Sequence, residues 1–271
     1  MTQSFQLEPD HGRPIIGNFH PAQGAKKHAL IIFCHGYKGF KDWGGWHLMA
    51  ESLTRAGFDF VRFNFSHNGG TVEQPIDFPD LEAFSENNYS IEMDDLQLVI
   101  NHFEAPDQKL YLLGHSRGGG IVSLTAGQDS RIDKVATLAS VSDYRVRFLE
   151  GTEHFKQWQE KGITYIENSR TGQLLPHKYQ FYTDFIAHED RLTIHKAVRS
   201  INIPHLIIHG TEDPTVTLKE AEALHSWNPQ SILKVIPGAD HVFGMKHPYP
   251  ESELPEHMQL VVEALIEFYK D

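Results

Sequence analysis

Short apolar runs rich in β-branched and aromatic residues alternate along this chain with longer stretches in which apolar positions recur every three or four residues. The runs fall at 29–34, 59–63, 109–113, 134–138, 205–209 and 231–236. Runs this short and continuous predict strands buried on both faces, as in a mostly parallel sheet covered by helices. Two weaker runs, 4–7 and 15–19, flank the turn-forming Asp10-His11-Gly12 and predict an opening antiparallel hairpin. Helical periodicity predicts helices over 46–56, 89–103, 118–126, 218–226 and 255–269. The sum is about eight strands in a doubly wound α/β plan.

One interval breaks this rhythm. Between residues 142 and 200 the chain spends 59 residues before the next strand, and periodicity does not place the helices there. Nine aromatics lie in it, from Tyr144 and Phe148 to Tyr182 and Phe185, enough to bury surface of its own. The expectation is a single domain spanning 1–271 with a cap or lid inserted at about 142–200. Charge divides along the same line. The insertion holds nine Lys and Arg against eight Asp and Glu, so the net −12 of the chain is a body of −13 beneath a cap of +1. Ten acids and no Lys or Arg occupy 63–108, which reads as a solvated acidic face.

Composition narrows the function classes. An overall −12 repels phosphate backbones, which argues against a nucleic-acid partner. No apolar run approaches the roughly 18 residues of a membrane span, so none is expected. Cys34 is the only cysteine, so neither an intramolecular disulfide nor a cysteine-based zinc site is expected. With a beginning that carries neither basic nor apolar leader features, this points to the cytoplasm. Eighteen histidines invite a metal reading, yet no H-E-x-x-H or similar ligand spacing occurs. The nearest cluster, His188-Glu189-Asp190, reads as a solvated segment of the insertion, and no metal or cofactor is expected.

The sharpest local signal is Gly114-His115-Ser116-Arg117-Gly118, directly after an apolar strand and directly before a helical pattern. A tight strand-to-helix turn needs small residues on either side if a strained central serine is to project its Oγ above the sheet. The helix that follows aims its first N–H groups at any anion formed there. Serine at its ordinary pKa is a poor nucleophile, so a base and an orienting acid are required. The strand at 205–209 runs into Gly210-Thr211-Glu212-Asp213-Pro214, and the strand at 231–236 runs into Pro237-Gly238-Ala239-Asp240-His241. The chain order is therefore Ser116, Asp213, His241.

These three loops, in this order on these elements, resemble the α/β-hydrolase superfamily over essentially the whole chain, most closely its small bacterial esterases with an inserted cap, similar to feruloyl esterases and serine-aminopeptidase-like enzymes. The resemblance implies an α/β-hydrolase fold, Ser116 as nucleophile, His241 as base and Asp213 as acid. It also implies that His35-Gly36-Tyr37 supplies a backbone N–H from Tyr37, paired with that of Arg117, to an oxyanion. Serine at 116 disfavours the chemistries of relatives with Asp or Cys there. Glu212, Asp240 and Asp143 stay open as acids, and His247 and His257 as bases. His35, His115, Trp43 and Tyr144 are candidate substrate contacts.

The expected activity is hydrolysis of small carboxylic esters through an acyl-enzyme. The rivals are a thioesterase or acyltransferase, with Arg145 and Arg147 receiving an anionic leaving group, and an aminopeptidase, with Glu150, Glu153 or Glu160 holding an α-ammonium. A non-catalytic binding protein of the same fold is the remaining alternative.

Overall fold

A computed structural model describes residues 1–270; residue 271, the end of the expected domain, lies outside them. Its strands are β1 (Gln3–Leu7), β2 (Ile15–His20), β3 (Ala29–Cys34), β4 (Asp59–Asn64), β5 (Lys109–His115), β6 (Lys134–Leu138), β7 (Ile163–Asn168), β8 (Gln173–Lys178), β9 (His205–Gly210) and β10 (Ile232–Ile236). The helices are α1 (Trp46–Arg55), α2 (Leu81–Glu86), α3 (Tyr89–Phe103), α4 (Arg117–Ala126), α5 (Glu153–Lys161), α6 (Gln180–Ala187), α7 (Glu189–Leu192), α8 (Ile194–Ser200), α9 (Leu218–Trp227) and α10 (Glu256–Lys270). Eight strands form one sheet in the order β1-β2-β4-β3-β5-β6-β9-β10, and β7 and β8 form a separate hairpin. The opening hairpin pairs Leu7 with Ile15, β2 runs antiparallel to β4, and every other pairing in the large sheet is parallel. This is the doubly wound plan that the apolar pattern predicts, and the α/β-hydrolase fold that the resemblance implies.

Alternation along the central strands builds two cores. Leu30, Ile32 and Cys34 of β3 face one side, packed with Leu96 and Val99 of α3 and Ile121 and Val122 of α4. Ala29, Ile31 and Phe33 face the other, with Met49 and Leu53 of α1 and Val261 and Leu265 of α10. Both faces of β3 are thus dry, which is why its sequence is a continuous apolar run.

The 142–200 interval is not uniform. After a short 3-10 turn (Arg145–Phe148) come α5, the β7–β8 hairpin and α6, whose aromatics Phe148, Trp158, Phe181 and Phe185 join the core of the α3–α4 face. Its last seven residues behave differently: α8 packs on α4 and α9 as the crossover helix between β6 and β9. The hairpin and the six-residue α2 are elements the sequence pattern does not indicate. α2 is instead started by Asp80, whose carboxylate accepts from the Ala83 N–H at 2.8 Å.

Candidate active site

Strand β5 leads straight into α4, and the turn between them is Ser116, with φ 55° and ψ −117°. A non-glycine residue in the left-handed region carries roughly 1–3 kcal/mol of strain that the surroundings must hold in place. They do so by close approach. A Cβ at Gly114 would lie 2.2 Å from the Gly118 carbonyl oxygen, and one at Gly118 would lie 2.4 and 2.5 Å from the carbonyl oxygens of Cys34 and His35. Gly118→Ala is therefore expected to push the end of β3 aside, lowering stability by about 1–3 kcal/mol in urea unfolding and reducing activity with it. An unchanged unfolding midpoint would contradict this packing.

The other two residues arrive on the ends of neighbouring strands. His241 Nε2 lies 3.1 Å from Ser116 Oγ, and its Nδ1 lies 2.7 Å from Asp213 Oδ2. Asp213 Oδ1 accepts from the N–H groups of Thr215 and Val216, both at 2.8 Å. Buried His209 approaches Oδ2 at 3.4 Å while its Nε2 also lies 2.8 Å from the Val216 carbonyl oxygen. Burial alone would raise the Asp213 pKa, but the contacts from His209, His241 and the Val216 N–H reverse this and hold the carboxyl well below the usual carboxylate range. Asp213 is thus a fixed anion beside His241 Nδ1.

The alternative acids and bases are occupied elsewhere. Asp240 caps its own turn, accepting from Val242 and Gly244 N–H, and Asp143 accepts from Arg145 N–H at 2.7 Å. Glu212 is exposed, with its N–H bonded to the Ala239 carbonyl. His247 Nδ1 accepts from Gly44 N–H at 3.0 Å, and His257 lies beside Gly238. Among the described residues, no group of three or more His, Cys, Asp or Glu is arranged to hold a metal ion, and no helix is long and apolar enough to cross a membrane.

Ser116 opens into a cavity of about 300 Å³ whose wall is largely aromatic, including Tyr37, Tyr89, Tyr144, Phe148, Trp158 and Phe181. Tyr144 lies on it, donating its hydroxyl to the Arg117 carbonyl at 2.8 Å and stacking 3.7 Å from Tyr89. The other three candidate contacts, His35, His115 and Trp43, do not line this cavity. His35 and His115 are side chains turned into the protein, where burial holds them neutral, with pKa values lowered to about 4 and about 3. Neutral His35 donates from Nδ1 to the Gly36 carbonyl at 2.9 Å, and His115 donates from Nε2 to the His241 carbonyl at 2.9 Å. They brace the loops that carry the site. Trp43 packs on Trp46 and His247.

Several wall residues have no local signature in the sequence. Tyr89 heads α3, His177 sits on β8 and Trp158 on α5, brought together only by tertiary packing. Tyr37 has its ring 4.4 Å from the Arg117 guanidinium and its hydroxyl 2.7 Å from His177 Nε2. The Arg117 N–H heads α4 and so has no carbonyl a turn earlier to bond.

The sheet order, the serine turn and the loops after β9 and β10 together define a hydrolase-type α/β scaffold. The profile of the alpha/beta hydrolase fold family matches residues 29–165 and 164–248, most of the chain, and the chain belongs to that family. Two Escherichia coli proteins, each a 31.7 kDa protein in the traX-finO intergenic region, are 29% and 28% identical to it over 132 residues. That stretch is 46% of this chain and 42% of theirs, so the chain matches less than half the length of these curated relatives. Among solved structures, Est1E from Butyrivibrio proteoclasticus with ferulic acid bound is similar at a TM-score of 0.74 and 19% identity, covering 98% of this chain and 97% of that one. The esterase domain of a Rhodothermus marinus protein is similar at 0.69 and 20%, covering 100% and 98%. At such identities the likeness concerns the fold.

Proposed function

We propose that this protein is a serine hydrolase of small carboxylic esters. The observation that carries the reading is the hydrogen-bonded series Ser116–His241–Asp213, with Ser116 on the wall of a largely aromatic cavity. Ser116 Oγ attacks the ester carbonyl as His241 Nε2 takes its proton, and anionic Asp213 keeps the imidazole in the required tautomer. The backbone N–H groups of Tyr37 and Arg117 hold the oxyanion, each donor being worth roughly 10² to 10³ in rate. The proton passes from His241 to the departing alcohol, and water then attacks the acyl-enzyme with His241 as base again. Residues 142–193 form the cap over this site, and the cavity wall they contribute sets the substrate. No cofactor enters this scheme, and the one thiol, buried Cys34, suits a reducing compartment; we place the protein in the cytoplasm.

Among the rivals, the aminopeptidase reading has the weakest support: no Asp or Glu among the described residues lines the cavity, and Glu150, Glu153 and Glu160 lie outside the wall. A thioester with the same serine chemistry remains the second reading, favoured by Arg147 on the wall; Arg145, paired with Glu150 and Glu189, is not part of it. The deciding measurement is turnover of p-nitrophenyl acetate and butyrate, acyl-CoAs and aminoacyl anilides by the wild type and by Ser116→Ala. Ester turnover confined to the wild type is expected; equal turnover by both proteins would overturn the assignment.

A further inference from the structure

Arg117 contributes more to this cavity than an amide. Its side chain, 12% exposed, lies on the wall beside Ser116, with its guanidinium 4.4 Å from the Tyr37 ring and 5.2 Å from those of Tyr89 and Phe181. Nη1 donates to Glu92 Oε1 at 3.0 Å. That is the single polar contact of the guanidinium among the described residues, although the group carries five N–H donors. Glu92 is incompletely paired too: Oε1 also accepts from Asn87 Nδ2 at 2.7 Å, but buried Oε2 has no hydrogen-bond partner among the described residues. Burying such a pair costs several kcal/mol of desolvation per ion, and apolar residues of similar volume are often as stable or more so. Fold stability therefore gives no reason for a singly bonded ion pair here, and unused donors on the wall of a largely aromatic cavity give a ligand-based one.

A second guanidinium faces the same space. Arg147 lines the wall at the edge of the insertion, 34% exposed, and its Nη2 pairs with Glu220. Each arginine is already balanced by one glutamate, so the wall offers free N–H donors with little net charge. That suits one planar monoanion, which a guanidinium binds bidentately, better than a phosphate dianion.

We propose that Arg117 and Arg147 are specificity-determining residues that select esters bearing a second, free carboxylate beyond the scissile group. The proposal rests on the ester hydrolase reading of the same site, and binding separates the two. Ser116→Ala protein is titrated calorimetrically with monobenzyl succinate and with two neutral counterparts, benzyl butyrate and benzyl succinamate. Monobenzyl succinate is expected to bind at least about tenfold more tightly than either, the effect of one charge-assisted hydrogen bond. Adding Arg147→Gln, or Arg117→Lys, which keeps a cation for Glu92 but loses the fork, is expected to cut that advantage about tenfold. Equal affinities for the three ligands would overturn the proposal, as would an advantage that survives both substitutions. Hydrolysis by the wild type is followed in parallel. Selective binding with no turnover of any of these esters removes the hydrolase reading alone, and turnover without selective binding removes the carboxylate preference alone.

Discussion

Alanine at Ser116 and alanine at His241 are each expected to lower kcat for p-nitrophenyl butyrate by a factor on the order of 10⁶, and the double variant by no more than either single one. The reason is the geometry: the 3.1 Å contact between Nε2 and Oγ makes the two groups one device. Without the hydroxyl the imidazole has no proton to take, and without the imidazole the hydroxyl attacks as an ordinary alcohol. On the proposed mechanism, residual turnover comes from the Tyr37 and Arg117 amides and from binding, which both substitutions leave in place. Steady-state kinetics on the three variants checks this. Losses that multiply in the double variant would mean that Ser116 and His241 act separately.

Stability is expected to collapse on mild acidification, between about pH 6.5 and 4. Burial lowers the pKa of His35 and His205 to about 4 and of His115 and His177 to about 3, against an ordinary value of 6.5. In that window the unfolded chain takes up protons that these four side chains in the folded state refuse. Stability is therefore full above pH 6.5 and falls as the pH falls, by up to about 5 kcal/mol per pH unit for four protons. Glu92 and Asp95 oppose part of this, because burial raises their pKa values and the folded state protonates them first. Against a typical stability of about 5–15 kcal/mol, unfolding well above pH 3 follows. His205 offers a direct check, since both of its ring nitrogens are buried without hydrogen-bond partners among the described residues. Circular dichroism at graded pH is expected to show His205→Leu resisting acid better than its parent. A wild-type protein with undiminished urea resistance at pH 4.5 would refute this account.

The strands of the large sheet were legible because each side of the sheet is covered, so β3, β5 and β9 are continuous apolar runs bounded by turns. The insertion was not. β7 is exposed along much of its length and β8 contains Pro176, so neither shows a buried-strand pattern, although the short turn 169–172 closes them into a hairpin. Likewise the Ser116, Asp213 and His241 loops carry local signals, small residues around a strained turn and polar residues at strand ends. The direction of a neighbouring side chain has no such signal. His115 precedes Ser116 by one residue, yet its ring turns away, packing on Trp46 and His241. The cavity wall draws Tyr89 from α3, ten residues from the insertion, and Thr215 and Val216 from the loop after β9, and only the folded chain assembles them.

The Tyr37 ring lies against the Arg117 guanidinium, and its hydroxyl is hydrogen-bonded to His177 of β8. The same residue carries an amide proposed to meet the reacting oxygen. Under the proposed mechanism, a ligand that pushes on Arg117 or β8 is expected to shift this amide as well. On the proposed mechanism, a substrate too small to press on Arg117 and β8 is expected to leave that amide less well aimed, so that the rate of hydrolysis, and not merely affinity, would depend on parts of the substrate that never react.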